Sequence, residues 1–182
     1  MFFGKDSGRL WNRPRFWMMK RTWFLSIYAL AALLAMSGFL WQPCFFIYGD
    51  GSCVASVPLL KDMPFSIHFI HSVQKTPVLE NLVAKADGSG FELLSTKYQS
   101  FGVGLPFMES EGEFREEGDY YIFDHMNRWF PKLSLRTGVG TELTVQAEGR
   151  EYRLYEQFPP GTKIDLFVAP FYERFFYGTV KK

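Results

Sequence analysis

The chain has 182 residues, 47% of them hydrophobic and 19% aromatic, including 20 phenylalanines; this is ample core material, it argues against a disordered chain, and the length suits one domain plus an appendage. The formal charge of +1 conceals an asymmetry: residues 1–21 carry Lys5, Arg9, Arg13, Arg15, Lys20 and Arg21 against Asp6, a balance of +5, which leaves about −4 for the remainder. Positive charge gathered in a head before an apolar run is not the basic folded surface that nucleic acid requires, so no nucleic-acid partner is expected.

The apolar run decides the expected topology. From Thr22 to Gly49 there is no charged residue, and the centre, Trp23 to Trp41, reads WFLSIYALAALLAMSGFLW. At about 1.5 Å per residue this centre spans roughly 28 Å, close to the hydrocarbon thickness of a bilayer. Trp23 and Trp41 stand at its ends, where indole rings favour the membrane interface, and all the nearby basic charge precedes it. The expected organisation is a basic cytoplasmic head over 1–21, a transmembrane helix over 22–43, and an extracytoplasmic β domain over 44–182 on the cell membrane. A cleaved signal peptide is the rival reading, with Met18 or Met19 as the start and Ala35-Met36-Ser37 as the cleavage site. The run continues through Phe39, Leu40 and Trp41, longer than a signal peptide needs, which favours the anchor. Trp41-Gln42-Pro43 before Cys44 lacks the small residues of a lipoprotein signal.

Cys44 and Cys53 bracket a short loop with Gly49-Asp50-Gly51 as its turn. An oxidising compartment allows a local disulfide here, with two free thiols as the alternative. No Cys/His spacing suggests zinc, and neither a metal nor a cofactor is expected.

Beyond this point the chain reads as strands and turns. Phe65-Ser66-Ile67-His68-Phe69 alternates with the period of a half-buried strand. Val78 to Ala86 and Phe91 to Tyr98 flank Asp87-Gly88-Ser89-Gly90 as a hairpin. Tyr120 to Phe123, Leu133 to Thr137 and Thr141 to Ala147 are further strands. Glu151 to Phe158 is expected to pair back after the turn Glu148-Gly149-Arg150, and Lys163 to Val168 follows Pro159-Pro160-Gly161-Thr162. Asn127 to Phe130 reads as a helical turn stopped by Pro131, and the aromatic stretch Phe171 to Tyr177 as an edge strand or a contact surface. The fold class is mainly β: a compact antiparallel sandwich or small barrel behind one N-terminal transmembrane helix.

Two stretches stand out. The first is His71-Ser72-Val73-Gln74-Lys75-Thr76-Pro77-Val78-Leu79-Glu80. Neighbouring strand residues point to opposite faces, so His71 is badly placed to serve Ser72 as a base, and no GxSxG elbow is present. A buried polar network in which Glu80 accepts a hydrogen bond from His71 fits better. The second stretch is Phe101-Gly102-Val103-Gly104-Leu105-Pro106; Phe107 occupies the place of the third glycine in a dinucleotide loop, so a tight turn is the simpler reading. Between them and the later strands, Glu109, Glu111, Glu113, Glu116, Glu117 and Asp119 form an acidic loop without the calcium pattern.

The strand running into His71-Ser72-Val73, then Pro77-Val78 and Glu80, then Tyr98-Gln99-Ser100-Phe101-Gly102-Val103-Gly104-Leu105-Pro106, resembles a bacterial family catalogued as domain of unknown function 1850. The resemblance covers roughly Phe65 to Val168; Val103 departs from it, standing where a smaller residue is expected. No catalytic residue is established in the family, so none carries over. The resemblance implies a small extracytoplasmic domain behind a membrane segment, and a genomic setting beside TAXI-type TRAP transporters. The expected partners are therefore the membrane and a TRAP permease or its solute-binding protein. The leading expectation is a tethered, non-enzymatic accessory protein of solute uptake. The alternatives are a module that holds a small molecule or lipid in a β-barrel mouth, and a hydrolase built around Ser72 or the histidines.

Overall fold

A computed structural model describes residues 15–100 and 112–176, with side chains from residue 23 onward. The chain divides into a helical unit and a β unit that begins at Leu40. Helix α1 spans Arg15–Leu40. Its segment Trp23–Leu40 has mean hydropathy 1.9 and is long and apolar enough to cross a membrane. Phe24, Ile27, Leu30, Leu33 and Leu34 all leave it exposed, so no single face carries its apolar side chains.

The β unit holds β1 (Pro43–Gly49), β2 (Ser52–Pro58), β3 (Met63–Ile70), β4 (Pro77–Ala84), β5 (Phe91–Tyr98), β6 (Glu113–Glu117), β7 (Tyr120–Asp124), β8 (Arg128–Phe130), β9 (Lys132–Arg136), β10 (Thr144–Ala147), β11 (Arg150–Arg153) and β12 (Lys163–Pro170). The helical turn α2 (Leu154–Gln157) and a 3-10 helix over Phe171–Phe175 complete it. All described pairings are antiparallel. The small sheet runs β2-β1-β12-β9, and the large sheet runs β11-β10-β3-β4-β5-β7-β6 with β8 also on β5. The sheets do not close into a barrel; they face one another as a sandwich.

The core follows from strand alternation. Phe45 and Ile47 of β1, with Ile164 and Leu166 of β12, meet Phe65 and Ile67 of β3, Leu82 of β4 and Phe91 of β5. The rings of Phe45, Phe65 and Phe91 touch with centroids 4.9 to 5.7 Å apart. Hairpin turns are set by residues that tolerate positive φ: Asp50 and Gly51 between β1 and β2, Glu148 and Gly149 between β10 and β11.

Several expectations need correction. Asn127 to Phe130 is not a helical turn: Arg128–Phe130 is a strand, paired with Phe91 to Leu93. His125 and Asn127 take left-handed backbone instead, which re-aims the chain into that strand. The aromatic tail is a 3-10 helix over Phe171–Phe175 rather than an edge strand. After Arg153 the chain coils into α2, burying Leu154, rather than continuing to Phe158 as a strand. The expected disulfide does not form. Cys44 and Cys53 are free thiols on paired strands; Cys53 stands opposite Tyr48, four residues along β1 from Cys44. At about 3.3 Å per residue that is roughly 13 Å, beyond the reach of a disulfide.

Two measurements check this architecture. At Gly90 φ is +131°, and a Cβ would run into the Phe130 carbonyl oxygen and the Pro131 backbone. Gly90→Ala is therefore expected to destabilise the domain by about 2 kcal/mol or more in urea titrations of the detergent-solubilised chain. Burial of the Cys44 thiol raises its pKa. Under native conditions maleimide is expected to modify Cys53 and spare Cys44, and to modify both after denaturation; an oxidised pair that resists both would contradict the register.

Candidate functional site

The β3–β4 connection is built around His71. The last paired residues are Ile70 and Pro77. Between them the His71 N–H donates to the Thr76 carbonyl at 2.9 Å, and the Lys75 N–H donates to the His71 carbonyl at 2.9 Å. The buried ring completes the turn. Its Nδ1 accepts the N–H groups of Val73 and Gln74 at 3.3 and 3.2 Å, as a carboxylate does in a helix cap. The neutral ring therefore carries its proton on Nε2. Lys75 takes positive φ to close the turn. Ser72 is exposed on it.

Glu80 does not take the hydrogen bond expected from His71. It lies in the middle of β4, opposite Ile67 and Thr96. Its neighbours Val78 and Leu82 on the same side are buried in the core, so its carboxylate is carried on the core-facing side of the sheet. Desolvation there raises its pKa, and the attraction of Arg128 offsets part of that rise. Among the described residues it accepts no hydrogen bond.

The chain just before the second stretch reaches the first. Tyr98 is fully buried on the core side, its ring 5.9 Å from that of Tyr121. Two residues on, the Ser100 hydroxyl donates to Gln74 Oε1 at 3.4 Å. Ser100, just past the far end of β5, thus meets the turn of the first stretch. Phe101, Gly102, Gly104, Leu105 and Pro106 lie outside the described residues, as do Glu109 and Glu111 of the acidic loop. Glu113, Glu116 and Glu117 belong to β6 rather than to a loop.

On the outer face of the large sheet a groove of about 720 Å³ opens beside the His71 turn. Pro77, one of the residues singled out in the sequence, lines it with Leu79, His68, Lys97, Thr144 and Arg153. Arg153 is paired with Glu151 and Glu156 at 3.1 and 3.4 Å. Lys97 lies over the Tyr120 ring, 4.4 Å from its centroid. Sequence reasoning missed this groove. Its signal was the polar half of the alternation in β3, β4, β5 and β10, which reads as ordinary solvated surface.

The histidines part company. His68 Nε2 pairs with Ser66 Oγ at 3.0 Å on the outer face of β3, and His125 Nδ1 lies 3.3 Å from Glu113 in an exposed pair. No third group among the described residues orients the His68 ring, so the Ser66–His68 pair lacks the second contact that an activated serine requires. No cluster of three or more His, Cys, Asp or Glu side chains suited to a metal occurs among the described residues.

The described residues form an antiparallel sandwich with a stapled histidine turn, a core-facing carboxylate and an outer groove. The family model described as Domain of unknown function (DUF1850) matches residues 65–154, and this part of the chain is similar to that family. The match runs from Phe65 in β3 to Leu154 at the start of α2, taking in nearly all of the large sheet. No curated protein and no solved structure matches the chain.

A core-side carboxylate with raised pKa opposes folding at neutral pH, because ionisation is easier in the unfolded chain. Glu80→Gln is expected to raise the melting temperature at pH 7. The gain should shrink as pH falls through the folded-state pKa and vanish below the unfolded value near 4.3. Thermal scans across that range check the sign, and a destabilised variant at pH 7 would show that the ionised group is favourably bound.

Proposed function

We propose that the protein is a membrane-tethered extracytoplasmic interaction module that acts as an accessory to TRAP-type solute uptake, with its N-terminus in the cytoplasm. The reading is carried by one arrangement. A membrane-length helix ends at Leu40, β1 begins at Pro43, and the domain that follows holds Ser100 against Gln74 of the His71 turn. Confinement to a membrane raises the effective concentration of such a domain beside a permease, so weak contacts suffice. The His71 turn with the adjoining groove is the contact surface of this reading. The +5 charge of residues 1–21 supports the cytoplasmic placement of the head.

A second reading, a small-molecule site, is favoured by the groove alone. The sandwich core is filled by Tyr98, Phe45, Phe91 and Phe123, each below 2% exposed, so a ligand held inside a barrel mouth is a poorer fit than one lying in the outer groove.

A mild-detergent pull-down of the C-terminally tagged chain from native membranes, followed by mass spectrometry, tests the proposal. Recovery of a TRAP permease or its solute-binding protein is expected, with about tenfold loss or more when His71→Ala and Gln74→Ala are combined to loosen the turn. Recovery of the intact chain alone would overturn the accessory role and leave the groove as a ligand site.

A further inference from the structure

The outer side of the small sheet differs in kind from the groove side. Cys44, Phe46 and Tyr48 of β1 and Phe167 of β12 form a second buried apolar cluster there, packed against Ala169 and Phe171. The chain after β12 doubles back over it. The Phe171 N–H donates to the Gln42 carbonyl at 2.9 Å, and the Tyr172 ring meets Trp41 edge-on at 5.2 Å. Farther along, the Tyr48 hydroxyl donates to the Arg174 carbonyl at 3.4 Å, and the Arg174 guanidinium to Ser56 Oγ at 3.3 Å.

This covering turn presents more apolar surface outward instead of ending the apolar layer. Phe175 is 62% exposed, Phe176 57% and Trp41 63%. Basic side chains share the face. Lys132 and Arg136 of β9 pair in register with Phe167 and Lys163 of β12, so they project to the same side as the buried cluster. Arg174 is exposed toward the other edge of the sheet, where its guanidinium reaches Ser56 of β2. Their acidic neighbours are Glu173 and Asp165, the latter bridged to Lys132 and Lys163 at 3.0 and 3.1 Å.

We infer that this face lies on the membrane surface, with Trp41, Tyr172, Phe175 and Phe176 at the lipid interface and Lys132, Arg136, Lys163 and Arg174 against anionic phospholipid headgroups. Three observations carry the inference. Trp41 is bonded directly to Leu40, the last residue of the membrane-length span. Indole, phenol and phenyl rings with interleaved basic residues suit the interfacial layer chemically. The basic side chains complement an anionic leaflet. Tethering makes the patch sufficient, since it need only orient a domain that is already held at the bilayer. The inference rests on the membrane-spanning reading of α1, and the experiment separates the two.

The full chain, with Cys53→Ser to remove the exposed thiol and Phe176→Cys to supply a new one, is labelled with a nitrobenzoxadiazole probe. It is reconstituted in vesicles of phosphatidylcholine and phosphatidylglycerol. Ser89→Cys, in the β4–β5 turn of the large sheet, serves as control. At position 176 the emission is expected to shift to the blue and to be quenched about twofold or more by lipids spin-labelled near the headgroup. Quenching should weaken in pure phosphatidylcholine, and the control should stay unquenched. A solvent-like probe at 176 in protein that resists alkaline extraction would overturn the docking face while leaving the tether intact. A blue-shifted but unquenched probe would mean that protein, such as a second copy, covers the patch, and would also overturn it. Release of the protein by alkali would overturn the spanning reading and the docking face with it.

Discussion

The pairing of β1 with β12 is the interaction on which the rest of the fold depends. Seven residue pairs, from Pro43 with Pro170 to Gly49 with Ile164, join the start of the domain to its end. The other two strands of the small sheet hang on this pair, because among the described residues β2 pairs only with β1 and β9 only with β12. Phe45, Ile47, Ile164 and Leu166 then form the lid over the core side of the large sheet. Contacts this far apart in sequence close late, after the chain entropy of everything between them has been lost. The large sheet is different in character. β3, β4 and β5 are joined by short connections and form its local centre.

That centre positions the candidate site. β3 ends at Ile70 and β4 starts at Pro77, so the His71 turn is held at one rim of a rigid hairpin. The turn is satisfied from within by a histidine nitrogen in place of a carboxylate, and this leaves it uncharged when the ring is neutral. The charge sits instead on Glu80, half-buried on the core side and partly balanced by Arg128. Burial penalises the charged form of this group, which makes Glu80 a candidate functional position.

Much of the fold was legible in the sequence where one side of a strand is wet. Phe65 to Phe69 and Phe91 to Tyr98 alternate because their outer side chains meet solvent, and both strands were found within two residues of their bounds. β1 was hidden by the opposite circumstance. All of Cys44 to Gly49 is buried, Phe45 and Ile47 against the large sheet and Phe46 and Tyr48 beneath the C-terminal turn. It therefore reads as a continuation of the apolar run of α1, and the two cysteines that bracket it suggested a loop. Asp50-Gly51 was the available signal for a hairpin at this point. The Arg128–Phe130 strand was illegible because its partner, Phe91 to Leu93, is remote and its entry depends on two residues at positive φ. In the candidate site, the meeting of Gln74 with Ser100 joins residues 26 apart in sequence, and the core-facing placement of Glu80 depends on register; no local pattern reports either.

The extent of the family match adds a physical distinction. Residues 65–154 contain the His71 turn, Ser100 and all the residues that line the groove except Tyr155, whereas β1, β2 and β12 fall outside it. The matched part carries the candidate recognition surface, and the flanking strands supply the cover for its core. The outer faces of the two sheets in a sandwich look in opposite directions. If the outer face of the small sheet rests on lipid, the groove and the polar row of Ser66, His68 and Asn81 face away from it, toward the aqueous side. A partner or solute arriving from solution would then meet the matched face without competing with the membrane. The flanking strands would thus have two duties that favour the same residues: Phe46, Tyr48 and Phe167 seal the small sheet from outside, and in doing so provide the bed on which the aromatic turn is laid.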